Sequence, residues 1–225
     1  MKVQIYGDSL MKAILVDENY KYKPSSKTLL ERLKQDTGIE AVNHAHFGYT
    51  STRGQEVLQR DLARGLDCQA ALLEFGGNDC DHNWMQVAAE PDGEHLPNTP
   101  LRSFLDALRS MAQALQVVGI QPILMTLPPL DAQKYLDFIG HRGSNTQSIL
   151  SWLGDVQMIY RWQELYSNGI ARLAAQMSLP LVDIRSSFLA RRDYTTLIAK
   201  DGIHLTGAGY KLVFNQLQQT LVSLA

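Results

Sequence analysis

The sequence lacks the features that mark several specialised protein classes. Its 225 residues include only two cysteines, Cys68 and Cys80, too few for a disulfide framework. No apolar run approaches the roughly 20 residues that a membrane-spanning helix needs. The formal net charge is −2, which gives no basis for binding nucleic acid or an anionic membrane. We therefore expect no nucleic-acid partner and no integral membrane association.

An internal repeat, a charge block and a linker-like segment are also missing. The length suits one domain with a sizeable core, and 45% hydrophobic with 20% charged residues is ordinary for a globular chain. We predict a single domain over residues 1–225. The first residues read as a strand that carries a candidate nucleophile, so they are not expected to form a removable signal peptide. A cytoplasmic location is the expectation that follows.

The stretch from Met1 to Leu10 organises the rest of the chain. Val3 and Ile5 alternate with polar residues, and Gly7, Asp8 and Ser9 then interrupt the run. This pattern predicts a short strand that ends in a tight turn. The turn places Ser9 at the carboxyl end of the strand, where open α/β sheets place their chemistry. A serine there also often caps the next helix, so Ser9 needs support from later segments.

Strand and helix patterns alternate along the whole chain. Further strands are predicted at 39–43, 70–75, 122–126 and 179–184. Helices are predicted at 25–37, 53–64, from Thr99–Pro100 to Gly119, near 159–177 and at 207–224. Residues 81–98 look polar and irregular. The rhythm predicts an α/β fold, a flavodoxin-like three-layer α/β/α sandwich with a five-stranded parallel sheet in the order 2-1-3-4-5.

Three loops of this sheet carry polar or glycine residues at the same edge. Ser9 follows strand 1, Gly48 lies in the loop after strand 2, and Asn78 follows strand 3 within Gly76-Gly77-Asn78-Asp79. Since the carboxyl ends of parallel strands meet at one edge, we expect these three residues to lie close together.

A histidine and an aspartate stand before the closing helix, in Asp201-Gly202-Ile203-His204. An aspartate three residues before a histidine can accept a hydrogen bond from the ring. This fixes the tautomer and leaves the other nitrogen free to take a proton from a serine. A capping role for the aspartate is the simpler alternative, because Asp-x-x-His also occurs by chance.

These segments resemble the GDSL-type serine hydrolases, also called SGNH hydrolases. Gly7-Asp8-Ser9-Leu10 matches the block that names the family, and Gly48 is similar to the glycine of the second block. The third and fifth blocks are matched by Gly76-Gly77-Asn78-Asp79 and Asp201-Gly202-Ile203-His204. The matches follow the family's order over residues 7–204. The lead-in His44-Ala45-His46-Phe47 departs from the usual second block, which makes Gly48 the loosest match.

The resemblance implies the SGNH hydrolase fold and a serine esterase that works through an acyl-enzyme. In that mechanism Ser9 is the nucleophile, His204 the general base and then acid, and Asp201 the orienting carboxylate. The oxyanion hole is expected from the Ser9 and Gly48 backbone N–H groups and the Asn78 side chain. No cofactor is needed. The substrate is expected to be an acyl or acetyl ester of a lipid, a carbohydrate or a small alcohol.

Two other functions share these residues. An acyltransferase would use the same three catalytic groups with an alcohol in place of water, and a non-catalytic carbohydrate- or acyl-binding module could keep the fold. The α/β-hydrolase fold is not favoured, because no Gly-x-Ser-x-Gly motif occurs. The glycine spacing and lysine of a phosphate-binding loop are also missing around Ser9.

Clusters of possible metal ligands do not have a recognised spacing. His44 with His46 is one such group, and Asp79 with Asp81 and His82 is the other. Neither matches a zinc motif, so we predict no metal site. Cys80 is interpreted as a small buried side chain.

The segment 130–163 departs from the strand–helix rhythm. Ser144 or Asn145 can cap a short helix that ends at Gly154, and Asp155 can cap the next. Tyr135, Phe138, Trp152, Tyr160 and Trp162 concentrate aromatic residues here. Because the segment leaves the edge that carries Ser9, we expect it to cover the active site. Asp8, Tyr135 and Trp152 are predicted to contact substrate. A small satellite core that only packs on the domain is the alternative.

Overall fold

The computed structural model describes residues 1–225 and contains one parallel sheet of five strands. The strands of this sheet are β1 (Lys2–Gly7), β4 (Glu40–Asn43), β5 (Ala70–Glu74), β6 (Gln121–Met125) and β7 (Leu181–Val182). A separate antiparallel hairpin consists of β2 (Ile14–Val16) and β3 (Tyr22–Pro24).

The strand order in the sheet is β4-β1-β5-β6-β7. Counted over the five parallel strands alone, this is the predicted 2-1-3-4-5. The numbers differ only because the hairpin, which sequence analysis did not predict, adds two strands after β1. Strand β1 pairs in parallel with both β4 and β5. The order reverses at β1, so the loops after β1 and β5 flank the switch point where such sheets bind ligands.

Nine α-helices surround the sheet. They are α1 (Ser26–Thr37), α2 (Ser51–Arg64), α3 (Trp84–Ala89), α4 (Leu101–Val117), α5 (Ala132–His141), α6 (Thr146–Leu153), α7 (Gln157–Gln176), α8 (Ile184–Leu189) and α9 (Gly207–Leu224). A short 3-10 helix spans Tyr194–Leu197. None of the helices is both long and apolar enough to cross a membrane.

Two buried clusters cover opposite faces of the sheet. Val3 and Ile5 of β1 face the first cluster with α1, α8 and α9, while Tyr6 faces the second cluster with α2, α4 and α7. This alternation is the two-residue period of a strand. A sheet covered on both faces is the three-layer α/β/α sandwich that the sequence predicted.

A third cluster lies apart from the two main ones. It joins α3, α5, α6 and the first turns of α7 through residues such as Trp84, Leu136 and Ile149. The caps of α6 agree with the sequence: the Asn145 side chain accepts hydrogen bonds from two backbone N–H groups, and Gly154 ends the helix at φ +69°.

Two segments differ in detail from their prediction. The strand predicted at 179–184 contains only Leu181–Val182, because Asp183 caps α8 by accepting a hydrogen bond from Ser186 N–H. The region 81–98, predicted to be irregular, contains α3, which Asn83 caps in the same way. The β2–β3 hairpin and helix α5 were not predicted.

Candidate active site

Ser9, His204 and Asp201 form a continuous chain of hydrogen bonds. The Ser9 hydroxyl lies 3.0 Å from His204 Nε2, and His204 Nδ1 lies 2.6 Å from Asp201 Oδ2. Asp201 is fully buried and acts as an acceptor, so Nδ1 carries a hydrogen and Nε2 is left to accept the serine proton. The arrangement is that of a serine nucleophile with its base and orienting carboxylate.

The turn that contains Asp201 fixes its carboxylate as an anion. Asp201 Oδ1 also accepts the backbone N–H groups of Ile203 and His204, at 3.3 and 3.1 Å. Burial alone would raise the pKa of Asp201, but the hydrogen bonds and charge of His204 outweigh it and hold that pKa below its usual value. Asp201 therefore remains charged at every pH at which His204 is neutral and can act as a base.

Gly202 allows helix α5 to support this turn from behind. It has φ +80°, and a Cβ built there would lie 2.4 Å from Tyr135 N and 2.6 Å from Asp131 O. Its carbonyl accepts the N–H of Asp131, which caps α5. Only glycine fits such a close backbone approach, so the position of the Asp201–His204 turn depends on α5.

Two aromatic rings lie against the imidazole of His204. The rings of Tyr22 and Phe47 have centroids 5.0 and 6.0 Å from that of His204. Tyr22 comes from the β2–β3 hairpin, and Phe47, which is 51% exposed, comes from the loop after β4. Tyr22 was not predicted at the site because the hairpin itself was not predicted, and Phe47 was considered only as part of the segment that leads to Gly48.

The predicted oxyanion donors lie in the expected loops but differ in their present partners. The backbone N–H groups of Ser9 and Gly48 make no hydrogen bond within the chain. Asn78 Nδ2 donates to Asp8 Oδ2 at 2.8 Å and to the Tyr49 carbonyl at 3.1 Å. Since both neighbours are acceptors, the amide orientation is fixed, and a substrate oxyanion would have to share one of these hydrogens. Gly48 is exposed with φ +74°.

A pair of buried carboxyl groups lies directly behind the nucleophile. Asp8 and Glu74 are 3% and 1% exposed, and Glu74 Oε2 accepts the Asp8 N–H at 3.3 Å. Burial is the main cause that raises the pKa of Asp8 to about 6, and burial together with repulsion from Asp8 holds the pKa of Glu74 well above its usual value. Glu74 ends β5 and reads as an ordinary strand residue, so the sequence does not mark it as part of the site.

A cavity lies beside Ser9 and His204. Its walls include Tyr135 of α5, Ile159 and Trp162 of α7, and His82 and Trp84 at the start of α3. The centres of water molecules could occupy about 80 Å³ of it. Since one water needs roughly 10–15 Å³ on this measure, the cavity has room for about half a dozen waters or a small organic group.

The chain matches the model of the GDSL-like Lipase/Acylhydrolase family over residues 5–212. The protein belongs to this family. The resemblance that the sequence motifs predicted is therefore confirmed.

Curated relatives and solved structures agree with this family. The chain is 27% identical over 180 residues to the GDSL esterase/lipase WDL1 of Oryza sativa subsp. japonica, in a match that covers 78% of this chain and 63% of that protein. It is 24% identical to the isoamyl acetate-hydrolyzing esterase of Saccharomyces cerevisiae, covering 81% and 69%. The chain thus spans less than two thirds of the length of the rice relative.

The fold likeness extends over nearly the whole chain. A catalytic mutant of Axe2, an acetylxylan esterase from Geobacillus stearothermophilus, superposes with a TM-score of 0.67 at 17% identity, covering 98% of this chain and 93% of that one. At this level of identity the likeness shows the fold alone.

For this member of the GDSL-like family, the structure brings together most of the residues predicted for the site. Ser9, Asp8, Asn78, Tyr135 and His204 all line the cavity, and Asp201 lies behind His204. Gly48 and Trp152 do not line it.

Trp152 instead packs behind the cavity wall. Its Nε1 donates to the Gly93 carbonyl at 3.1 Å, and its ring centroid lies 6.4 Å from that of Trp84 and 5.4 Å from that of Trp162. The prediction of a direct substrate contact is not supported for this residue. The tryptophans that reach the cavity, Trp84 and Trp162, were not predicted as contacts.

The possible metal ligands have separate partners. Asp79 accepts hydrogen bonds from the backbone and hydroxyl of Ser51, at 3.0 and 2.6 Å. Asp81 accepts from Tyr135 and Trp84, and His82 packs among tryptophan rings. These three side chains thus have structural contacts of their own. Cys80 is buried, its thiol donates to the Gly77 carbonyl, and burial raises its pKa well above the usual value.

Proposed function

We propose that the protein is a serine esterase that hydrolyses a carboxylic ester through an acyl-enzyme on Ser9. The observation that carries this proposal is the hydrogen-bonded chain from the Ser9 hydroxyl through His204 to the buried carboxylate of Asp201. Membership of the GDSL-like Lipase/Acylhydrolase family supports it. The names of the rice and yeast relatives, an esterase/lipase and an acetate-ester hydrolase, agree with it.

The first half of the reaction transfers the acyl group to the enzyme. His204 Nε2 takes the Ser9 proton as the oxygen attacks the ester carbonyl, and the imidazolium is stabilised by Asp201. The free N–H groups of Ser9 and Gly48 and the amide of Asn78 bind the oxyanion. His204 then gives its proton to the departing alkoxide oxygen, which leaves as the alcohol. In the second half, water repeats these steps and releases the acid.

The two halves of the ester occupy different sides of Ser9 in this proposal. The leaving oxygen must reach His204, and the rings against His204 are those of Tyr22 and Phe47. Neither of these two residues lines the cavity, and Phe47 is half exposed. We therefore assign the alcohol to the open Phe47 side, from which it can diffuse away, and the acyl group to the cavity.

A covalent probe tests the nucleophile. A fluorophosphonate should label the wild type at Ser9 alone, and Ser9→Ala should abolish both labelling and hydrolysis of 4-nitrophenyl acetate. Ser103→Ala is the matched control, because Ser103 is exposed on α4 and makes no side-chain hydrogen bond. The folded Ser103 variant should react like the wild type. Labelling of the Ser9→Ala protein, or persistent turnover by it, would contradict the assignment.

His204→Ala should lower turnover by at least about 10³-fold while the protein stays folded, as expected for loss of a triad base. Added alcohol separates hydrolysis from transfer: a hydrolase should release mainly the free acid, and a transferase should release mainly the new ester.

A further inference from the structure

The hydroxyl of Tyr135 and the indole N–H of Trp84, two aromatic residues of the cavity wall, already have hydrogen-bond partners within the chain. Asp81 accepts hydrogen bonds from the Tyr135 hydroxyl at 2.6 Å and from Trp84 Nε1 at 2.8 Å. Trp84 Nε1 also lies 3.3 Å from the Tyr135 oxygen. The hydrogen-bonding capacity of these groups is therefore satisfied without a ligand. Tyr135, Trp84 and Trp162 offer the cavity chiefly the apolar faces of their rings.

His82 is the exception in this wall. It lines the cavity and is 7% exposed, and its Nδ1 is enclosed without a hydrogen-bond partner. No group of the chain hydrogen-bonds to the ring at all: the influences on its titration are burial and the charge of His95. A buried polar group without a partner loses the hydrogen bonds it made to water. The ring is thus a polar position that the fold leaves unsatisfied.

The position of this ring is well fixed. Its centroid lies 4.7 Å from that of Trp162, 5.3 Å from Trp152 and 5.4 Å from Trp84. Three large rings restrict its rotation, so a ligand would meet a preorganised hydrogen-bonding group rather than a mobile one. Preorganisation reduces the entropy lost on binding.

The ring is also uncharged under ordinary conditions. Burial lowers the pKa of His82 to about 4, so at neutral pH it has one N–H donor and one acceptor nitrogen. Because Nδ1 is enclosed, the ring meets a ligand through Nε2, which makes no hydrogen bond within the chain. A hydroxyl group can pair with Nε2 in either tautomer, and a carbonyl oxygen can accept from Nε2–H. An anionic group is disfavoured, because Asp8, Glu74 and Asp81 also line the cavity.

The geometry points to an acyl subsite that selects esters whose acyl group carries a neutral oxygen, a hydroxyl or a keto group, with the His82 imidazole as its hydrogen-bond partner. This inference rests on the proposed esterase function and on the assignment of the acyl group to the cavity. The ring faces of Trp84, Trp162 and Tyr135 contact the carbon atoms of the same group. A short acyl chain or a single ring matches the accessible volume of the cavity.

Matched pairs of esters test the subsite. Methyl 3-hydroxybutanoate is compared with methyl butanoate, and methyl 4-hydroxybenzoate with methyl benzoate, by titrating the acid released. For each pair, the ratio of kcat/KM with and without the oxygen is measured in the wild type and in His82→Phe. Dividing one ratio by the other cancels the intrinsic reactivity of the esters. We expect the wild-type ratio to exceed that of the variant about tenfold or more for at least one pair, because a site built to hydrogen-bond a hydroxyl rejects the analogue that lacks it.

Two further variants sharpen the comparison. His82→Gln keeps a donor and an acceptor and should retain part of the preference. His95→Phe alters a second imidazole that contacts Trp152, with centroids 5.2 Å apart, but does not line the cavity. It should leave the ratio unchanged. Butyl butanoate and 4-hydroxybutyl butanoate carry the difference on the alcohol half, and His82→Phe should not alter their ratio.

The outcomes separate this inference from the proposed function. If the folded wild type cleaves no ester, the esterase proposal fails. If it cleaves the plain esters but His82→Phe leaves every acyl ratio unchanged, the esterase proposal stands and the subsite is refuted. If His82→Phe instead changes the ratio for butyl butanoate and 4-hydroxybutyl butanoate, the assignment of the acyl group to the cavity is also refuted.

A measurement on the wild type alone covers the case in which His82→Phe does not fold. A ketone with the shape of the acyl group can occupy the acyl site without being cleaved, so 4-hydroxybutan-2-one is compared with pentan-2-one as a competitive inhibitor. The hydroxyketone should have an inhibition constant at least about tenfold lower. Equal constants would overturn the inference without any variant.

Discussion

Because the imidazole of His82 is buried, we expect a defined contribution of this residue to the pH dependence of the free energy of unfolding. Its pKa in the folded protein is about 4, against about 6.5 for an exposed histidine. Between these two values the unfolded chain binds more protons than the folded one. The free energy of unfolding therefore falls as the pH is lowered from about 6.5 to 4. At 1.36 kcal/mol per pH unit, a window of about 2.5 units corresponds to about 3 kcal/mol.

The wild type alone does not show this pH dependence of the free energy of unfolding, because the titration of Asp8 has the opposite effect. The pKa of Asp8 is raised from 3.8 to about 6, so Asp8 contributes stability at low pH that is lost as the pH rises across nearly the same window. The contribution of Asp8 cancels in the difference between the free energies of unfolding of His82→Phe and of the wild type. The variant should gain about 3 kcal/mol relative to the wild type on going from pH 7 to pH 4.

Urea denaturation followed by tryptophan fluorescence at pH 4, 5, 6 and 7 measures this difference. His141→Asn is the control, since His141 is exposed at the end of α5. This variant should change the free energy of unfolding by the same amount at all four pH values. A His82→Phe difference that does not change with pH would refute the argument that His82 is buried in its neutral form.

Three other predictions follow from contacts near Ser9. Burial, followed by repulsion from Asp8, holds the pKa of Glu74 well above its usual value. Glu74→Gln should therefore become more stable relative to the wild type as the pH rises above about 4.3, where the carboxyl of the unfolded chain ionises. The exposed control Glu94→Gln should not, and a parallel pH dependence of the two variants in urea denaturation would contradict this. Asn78→Ala should lower kcat about 10²–10³-fold, the usual loss of one oxyanion donor, and unchanged steady-state kinetics would remove Asn78 from the site. Tyr135→Ala should change kcat/KM unequally across a series of acyl esters, by more than the tenfold that about 1.4 kcal/mol represents. A common loss for every ester with a lower melting temperature would mean that Tyr135 is only structural.

Long-range features of the fold could be predicted because they depend on strong local patterns. Ala70–Glu74 is fully buried, and its apolar run identifies a central strand from the sequence alone. The right-handed connections of parallel strands then restrict the order, and the order brings Ser9 and Asn78 to one edge. The separation of 195 residues between Ser9 and His204 was bridged by this topology and by the motif resemblance.

The short elements could not be predicted, because tertiary contacts rather than local pattern determine them. Strand β7 has two residues, fewer than any periodic signal needs. The β2–β3 hairpin has three residues in each strand, and Tyr22 packs on an imidazole far along the chain. In the insertion, the sequence showed aromatic residues at helical spacing but not their direction. Trp152 and Trp162 look alike in sequence, and the packing of α6 against α3 and of α7 against α5 distinguishes their positions.

His82 and Trp84 were missed for a different reason. The polar segment from Asp81 to Asn83 reads as a loop, and the single apolar face of α3 is too short to register. The available signal was Asp81 with Trp84, three residues apart and following Asn78. A carboxylate and an indole at that spacing, next to a predicted oxyanion residue, favour a buried polar contact over a solvated loop.

The hydrogen bond between Ser9 and His204 has a consequence for how activity appears during folding. It closes a loop of 195 residues, and contacts of such high sequence separation form late because their closure entropy must be met first. During synthesis from the amino terminus, β1 and its serine exist long before the Asp201–His204 turn can dock. Esterase activity during refolding should therefore recover only with the last phase of tertiary structure formation. Turnover would then report the assembly of the whole sheet, and no partly folded species with an exposed Ser9 could hydrolyse esters prematurely.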